Sequence, residues 1–500
     1  MTEARLPRPA ALAALAVVVA LAVPAVPGHA QSLRSRVDRR LDAAPFNRQL
    51  WGVALVDENG RLRYGRNQER LFIPASNTKL VVTAVAASLL PGDWTVRTSL
   101  YGGAVVDGIL QGDLVLYGRG DPTFSNRCYA IDTTAAGACD RDLLARFRSM
   151  ARTLKQAGIM AVSGDLVGDG SYFEPTTVHP GWESYDLNWW YAAPVSGLAF
   201  NDNSVDITWG PGPQVGAPAV ISLTPLPDGV TLENRTRTVA AGSDDDIDFF
   251  RDPGTLHIRA EGTVAADSRG NTEYFAMPDP ALYAAQMLRA VLGEEGIAVM
   301  GATRSTTDSL EYQYLRARPP LAEVESRPLR DWIFPILNTS QNTFAEILLK
   351  QVGRVFGTAG SWREGLRIER RFLIDSIGID STQFSLSDGS GLSSTNLVSP
   401  LAFTMILRYI RSHRGWDTFA PGLPQAGLPG SLRLRFRDTP LAGRVRAKTG
   451  SISRVNTISG FIDRPDGRFL TFSVQANHHA LRGRDVIARI DSVVVELGRR

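Results

Sequence analysis

Five hundred residues with 44% hydrophobic content can bury more than one core, and 54 basic residues against 51 acidic ones leave a formal charge of +3. That near-balance, with no basic block anywhere, excludes the electrostatic footprint of a nucleic-acid binder.

The chain opens with Arg5 and Arg8 before an apolar stretch from Ala10 to about Val26, followed by the small residues of Gly28-His29-Ala30. Residues 1–30 therefore read as an export signal cleaved after Ala30. An uncleaved anchor is the alternative, and Pro24 and Pro27 shorten its usable span. No Cys lies near the cleavage point, which argues against a lipoprotein anchor. After Pro74, the run Leu80 to Leu90 is apolar on nearly every side and stops at Pro91-Gly92, so it predicts a buried helix with Ser76 in its first turn. The only two cysteines, Cys128 and Cys139, are expected to close a small disulfide loop in an exported chain; two free thiols are the other reading.

From about Leu100 to Phe275 the text becomes many short β runs between Gly, Pro, Asp and Asn, among them 112–117, 163–168, 205–209 and 219–223. Within it, Asp244-Asp245-Asp246 reads as a solvated loop rather than a metal site. Helical text resumes at 280–292, 343–352 and 399–412. Residues 444–448 read as a strand, and 457–463 and 468–477 as a hairpin about Pro465-Asp466-Gly467. A last helix over 485–497 puts Val486, Ile490, Val493 and Leu497 on one stripe. The expected organisation is a helix-and-sheet unit formed by 31–98 and 276–500, interrupted by a β-rich module of one or two subdomains over 99–275.

Lysine is scarce. Only Lys79, Lys155, Lys350 and Lys448 occur among the basic residues, and two of these four fall in short strings. The strings run in the order Ser76-Asn77-Thr78-Lys79, Ser340-Gln341-Asn342 and Lys448-Thr449-Gly450. A guanidinium keeps its proton in a protein, whereas a buried ammonium can be driven to the neutral amine and act as a base. At Lys79 an arginine could not serve. The spacing of three sets Ser76 and Lys79 on one helix face, at an N-terminus whose positive potential suits an oxyanion.

The strings resemble the Ser-x-x-Lys, Ser-x-Asn and Lys-Thr-Gly set of penicillin-binding proteins and class A β-lactamases. Four further segments extend the likeness: Asp388 to Ser393, Arg444 to Ser451, and, within the inserted module, Gly118 to Thr123 and Tyr191 to Ser196. With them, essentially the whole mature chain resembles the D-alanyl-D-alanine carboxypeptidase/endopeptidases of the penicillin-binding protein 4 type, the class C low-molecular-mass group. β-Lactamases resemble a single compact domain without such an insertion. Gln341 stands where Asp is common and Ser451 where Thr often follows the Gly; both leave the required groups in place.

The resemblance implies an α+β, serine β-lactamase/transpeptidase-like fold, helices on an antiparallel sheet, with a large β-rich insertion. It also implies a serine-type D-Ala-D-Ala carboxypeptidase and DD-endopeptidase inhibited by β-lactams. Ser76 would be the nucleophile and Lys79 its base, with Lys448 depressing the Lys79 pKa by like-charge repulsion. Ser340 would relay a proton to the leaving amine. Asn342 would hold the substrate amide or Lys79. Lys448 and Thr449, on the strand continued by Gly450 and Ser451, would bind the terminal carboxylate, and the N-H groups of Ser76 and Ser451 would form the oxyanion hole. Asp388-Gly389-Ser390-Gly391 reads chiefly as a glycine-rich turn. The inserted module is expected to govern which wall strands reach Ser76, leaving the chemistry to the flanking halves. The expected partners are peptidoglycan stem peptides and β-lactams, with no nucleic acid, no cofactor and no metal, in an exported protein of the periplasm or cell wall with room for peripheral membrane contact.

Other classes lack their signatures. No Ser has glycine two positions away on both sides, and no His-Glu-x-x-His occurs; the adjacent His478 and His479 suit a loop or core role. A β-lactamase or esterase, or a non-catalytic peptidoglycan-binding scaffold, remains as an alternative, and labelling by a fluorescent penicillin separates these readings.

Overall fold

The computed structural model describes residues 32–129, 141–252 and 254–499. Strands β1 (Leu50–Asp57) and β2 (Leu62–Arg66) from the start of the chain join β3 (Val445–Ile452), β4 (Val455–Asp463) and β5 (Phe469–Asn477) from its end. All neighbours pair antiparallel, in the order β2-β1-β5-β4-β3. With this sheet go the helices α1 (Leu33–Asp42), α2 (Lys79–Leu89), α3 (Leu329–Asn338), α4 (Asn342–Phe356), α5 (Trp362–Asp375), α6 (Pro400–Ser412) and α7 (Gly483–Gly498). The expected stripe of Val486, Ile490, Val493 and Leu497 on α7 is buried with Val37 and Leu41 of α1 against one sheet face. On the other face lie α2 and the α3 to α6 group, whose apolar side chains share one core. Covered on both faces, β4 is buried along eight of its nine residues. The fold is α+β.

Local signals set several boundaries. Ser399 caps α6 by accepting from the Ala402 N-H at 3.0 Å, and Pro400 fills the first turn, where its missing N-H costs nothing. At α2 the tight turn Ala75–Thr78 precedes the helix, with Ala75 at φ 48.

The strands of the inserted module pair with one another and extend further than the sequence indicates. Its largest sheet runs in the order Thr303–Thr306, Leu166–Asp169, Leu114–Tyr117, Arg97–Tyr101, Ala322–Glu325. Residues 276–325, expected in the second half of the helix-and-sheet unit, thus hydrogen-bond into the module, and the chain leaves it near residue 326. Two things hid this. The apolar helix Pro280–Glu294 looks like any core helix, and four-residue strands carry little periodicity. A helix at Ala145–Gln156 also falls inside text read as β.

Candidate active site

Ser76, expected in the first turn of the helix, lies in the tight turn Ala75–Thr78 just before α2, and that turn leads into Lys79 so that its Nζ is 3.0 Å from Ser76 Oγ. Lys79 is fully buried, and its Nζ also donates to Asn342 Oδ1 at 2.6 Å and to the Ser390 carbonyl at 2.7 Å. Two glycines let the walls close on this turn. A Cβ on Gly391, which has φ 79, would lie 1.9 Å from the Ala75 carbonyl oxygen, and one on Gly450 would lie 2.9 Å from the Ser76 nitrogen. Thr457 Oγ1 donates to the Pro74 carbonyl at 2.8 Å, and Asn77 bridges Ser459 and the Lys448 carbonyl, so the turn is fastened to β4 and β3.

Ser340 and Asn342 enter at the start of α4. The Asn342 amide faces two ways: its oxygen takes the Lys79 bond, and Nδ2 donates to the Tyr191 carbonyl at 2.6 Å. Tyr191 belongs to the inserted module. The division that leaves the chemistry wholly to the flanking halves therefore fails here, because the module fixes the amide that holds Lys79.

Strand β3 forms the third wall and is the sheet's edge. Lys448, fully buried, donates from Nζ to Ser340 Oγ at 2.9 Å and to the Thr449 carbonyl at 2.7 Å. The open side of β3 is only partly covered: the Val445 carbonyl accepts from the Ala426 N-H at 2.9 Å, and the Ala447 N-H donates to the Pro424 carbonyl at 3.0 Å. With a strand period of two, the next outward-facing backbone groups belong to Thr449 and Ser451, and no strand among the described residues pairs with them.

Behind Lys79 lies a carboxylate frame that the sequence did not announce. Buried Glu346 accepts from the Gly389 N-H at 3.0 Å, the Ser390 N-H at 2.7 Å and Trp362 Nε1 at 2.7 Å. Asp388 accepts from the Gly391 and Ser393 N-H groups, both at 2.7 Å, and from Trp182 Nε1 at 3.1 Å. The glycine-rich turn is thus locked so that the Ser390 carbonyl meets Lys79. Burial lowers the Lys79 pKa to about 7, against the upward pull of Asp388 and Glu346. Burial, and after it repulsion from Lys79, hold Lys448 well below the usual ammonium range. Burial is the first cause at both lysines, and the repulsion between their charges is mutual. Burial, with Asp388 adding to it, lifts Glu346 to about 7.

Replacing Glu346 by Leu would leave those three N-H donors without an acceptor. The expected loss is about 3 kcal/mol of unfolding free energy, read by denaturant titration. An unchanged midpoint would show that the frame does not hold the turn.

A model of the D-Ala-D-Ala carboxypeptidase 3 (S13) family matches residues 33–497. The chain belongs to the S13 family. The D-alanyl-D-alanine carboxypeptidase of Actinomadura sp. strain R39 is 30% identical over 479 residues, 93% of this chain and 84% of that one. The D-alanyl-D-alanine carboxypeptidase DacB of Haemophilus influenzae is 25% identical over 412 residues, 80% of each. The crystal structure of penicillin binding protein 4 from Haemophilus influenzae shares the fold, with a TM-score of 0.78 at 24% identity over 93% of this chain and 99% of that one. As an S13 member the chain is a D-Ala-D-Ala carboxypeptidase.

In this S13 chain hydrogen bonds join Ser76, Lys79 and Asn342, and likewise Ser340, Lys448 and Thr449, while Gly450 approaches the Ser76 nitrogen; Ser451 follows on the same strand, its Oγ accepting from Asn456 at 2.8 Å. Cys128 lies at the edge of a neighbouring cavity, while its expected partner Cys139 is outside the described residues, as are the export signal and its cleavage point. Among the described residues no helix is long and apolar enough to cross a membrane, and no three His, Cys, Asp or Glu side chains gather as a metal site requires. What the sequence missed acts through backbone carbonyls, at Tyr191 and Ser390, or through a carboxylate buried on a helix, at Glu346.

Proposed function

We propose that the chain removes the terminal D-Ala from peptidoglycan stem peptides, and opens cross-links between them, through an acyl-enzyme on Ser76. The observation that carries this is the set of partners around Lys79. A neutral amine has two N-H groups and one lone pair. Asn342 Oδ1 and the Ser390 carbonyl take the two N-H groups, which leaves the lone pair for the Ser76 hydroxyl. A pKa of about 7 supports that state at neutral pH.

Ser76 Oγ attacks the carbonyl carbon of the penultimate D-Ala as its proton passes to Lys79 Nζ, and the N-H groups of Ser76 and Ser451 hold the oxyanion. Ser340 relays a proton to the leaving nitrogen as the C-N bond breaks. Water then cleaves the ester and returns the proton to Ser76. Lys448 and Thr449 bind the terminal carboxylate, whose arrival favours the ammonium form of Lys448. β-Lactams enter by the same attack on Ser76 and leave slowly.

A cavity of about 580 Å³ is lined in part by Tyr129, by Thr339, which precedes Ser340 in the chain, by Leu428, and by Arg446 on the strand of Lys448. A cavity of that size so near the two residues supports a substrate larger than a single D-Ala-D-Ala end. The protein acts after export, with residues 1–30 removed, in the periplasm or at the wall.

The test is incubation of the purified protein with a wall pentapeptide and with a cross-linked muropeptide, products being identified by mass. Release of D-Ala from the first and of monomers from the second are the expected results. No product from either, with rapid turnover of a penicillin label, would favour a β-lactamase.

A further inference from the structure

Ser340 stands at φ 67, a left-handed conformation that a residue with a Cβ keeps only where its surroundings over-determine it. Its own helix does not supply that constraint: Gln341 is the N-cap residue of α4, and its side chain makes no capping bond. That side chain crosses to the inserted module instead. Gln341 Nε2 donates to Asp202 Oδ2 at 2.9 Å and to the Tyr129 hydroxyl, which in turn donates to Asp202 Oδ2. Gln341 and Asp202 are buried, at 2% and 3% exposure.

The receiving end is itself rigid. Asn201, Asp202 and Asn203 are three successive left-handed residues, at φ 50, 53 and 54, of the two types that tolerate this conformation best after glycine. Asn201 Nδ2 donates to the Ser204 carbonyl at 2.8 Å and Asn203 Nδ2 to the Pro194 carbonyl at 2.7 Å, which ties the run at both ends. Arg127 stands 3.7 Å from the Asp202 carboxylate and 2.8 Å from that of Asp206.

We propose that Asp202 and Tyr129 grip Gln341 as a clamp through which the inserted module holds Ser340 in its left-handed conformation, and so sets Ser340 Oγ against Lys448 Nζ. The clamp rests on the reading of Ser340 as the proton relay, and its members are positioning residues. It is selective in its chemistry: an amide donates to a carboxylate, whereas a carboxylate at position 341 would face Asp202 with no proton between them. One of the two would then have to take one up.

The test is Gln341→Glu, which keeps the size of the side chain, with acylation by benzylpenicillin followed by intact mass at several pH values. The expected loss at the alkaline end is about 10²-fold, the scale of a small misplacement of a reacting group. The groups facing the new pair are Arg127, Tyr129 and Asp206. Like-charge repulsion raises the pKa of the pair formed by the introduced carboxyl and Asp202, so the protonated, hydrogen-bonded form gains as pH falls, and the ratio of variant to parent rate should rise. Gln341→Glu combined with Asp202→Asn reverses the amide and the carboxylate, and should recover the parent rate to within about threefold at every pH.

A parent protein that benzylpenicillin fails to acylate would overturn the acyl-enzyme reading itself. A parent that is acylated while Gln341→Glu reacts equally fast would overturn the clamp alone. If Gln341→Glu does not fold, the reversed pair decides, since a folded but slow double variant overturns the clamp and a recovered one supports it.

Discussion

Ser76→Ala should show no covalent mass shift with benzylpenicillin, where the parent shows one slowly hydrolysed adduct mapping to Ser76. The cleft contains other hydroxyls, and none of them can substitute. Ser340 Oγ accepts from Lys448, and Ser390 meets Lys79 with its carbonyl while its own hydroxyl oxygen accepts from the Leu392 N-H at 3.2 Å. Only Ser76 combines the base at 3.0 Å with a backbone N-H at the close approach of Gly450. An adduct that persists in the alanine variant would sink the assignment.

The second large effect separates two buried lysines of opposite duty. Lys79→Arg cannot deprotonate and should lose acylation by about 10²-fold or more, the scale of a missing general base. Lys448→Arg keeps its charge and should lose less. In the parent, acylation should climb through about pH 7 as Lys79 gives up its proton, because burial has lowered its pKa to about 7. The Lys79→Arg variant should show no such rise. Equal losses in both arginine variants, or a parent rate that is flat through neutrality, would contradict the division of roles.

The parts of the cleft that were legible in the sequence are those whose signal lies in side chains at short spacing. Ser76 and Lys79 are three positions apart across the start of α2, Lys448 sits on a strand with a clear hairpin after it, and the apolar run after Lys79 has no face to spare for solvent. Tyr191 was hidden because it contributes a carbonyl, which every residue possesses. Glu346 was hidden because one carboxylate in a helix reads as a surface residue until packing buries it. The weight of burial was hidden for a related reason: spacing shows that two charges are near, whereas the degree of burial, the first cause of both lowered pKa values, is a property of the folded core. The module's true end near residue 326 depends on which short strands find each other, a long-range choice with little local trace.

The order of strands in the central sheet also bears on when this hydrolase becomes active. β5, from the last part of the chain, lies between β1 and β4, and Ile73 beside the nucleophile turn donates to Asn477 across 404 positions. Until that final strand is in place, the sheet that carries β1 on one side and β3 on the other is not continuous, and the Ser76 turn meets Lys448 only through its own bonds to β3 and β4. Loop closure over such a span makes the last step of folding slow. The catalytic half is thus closed by the part of the chain that is synthesised last.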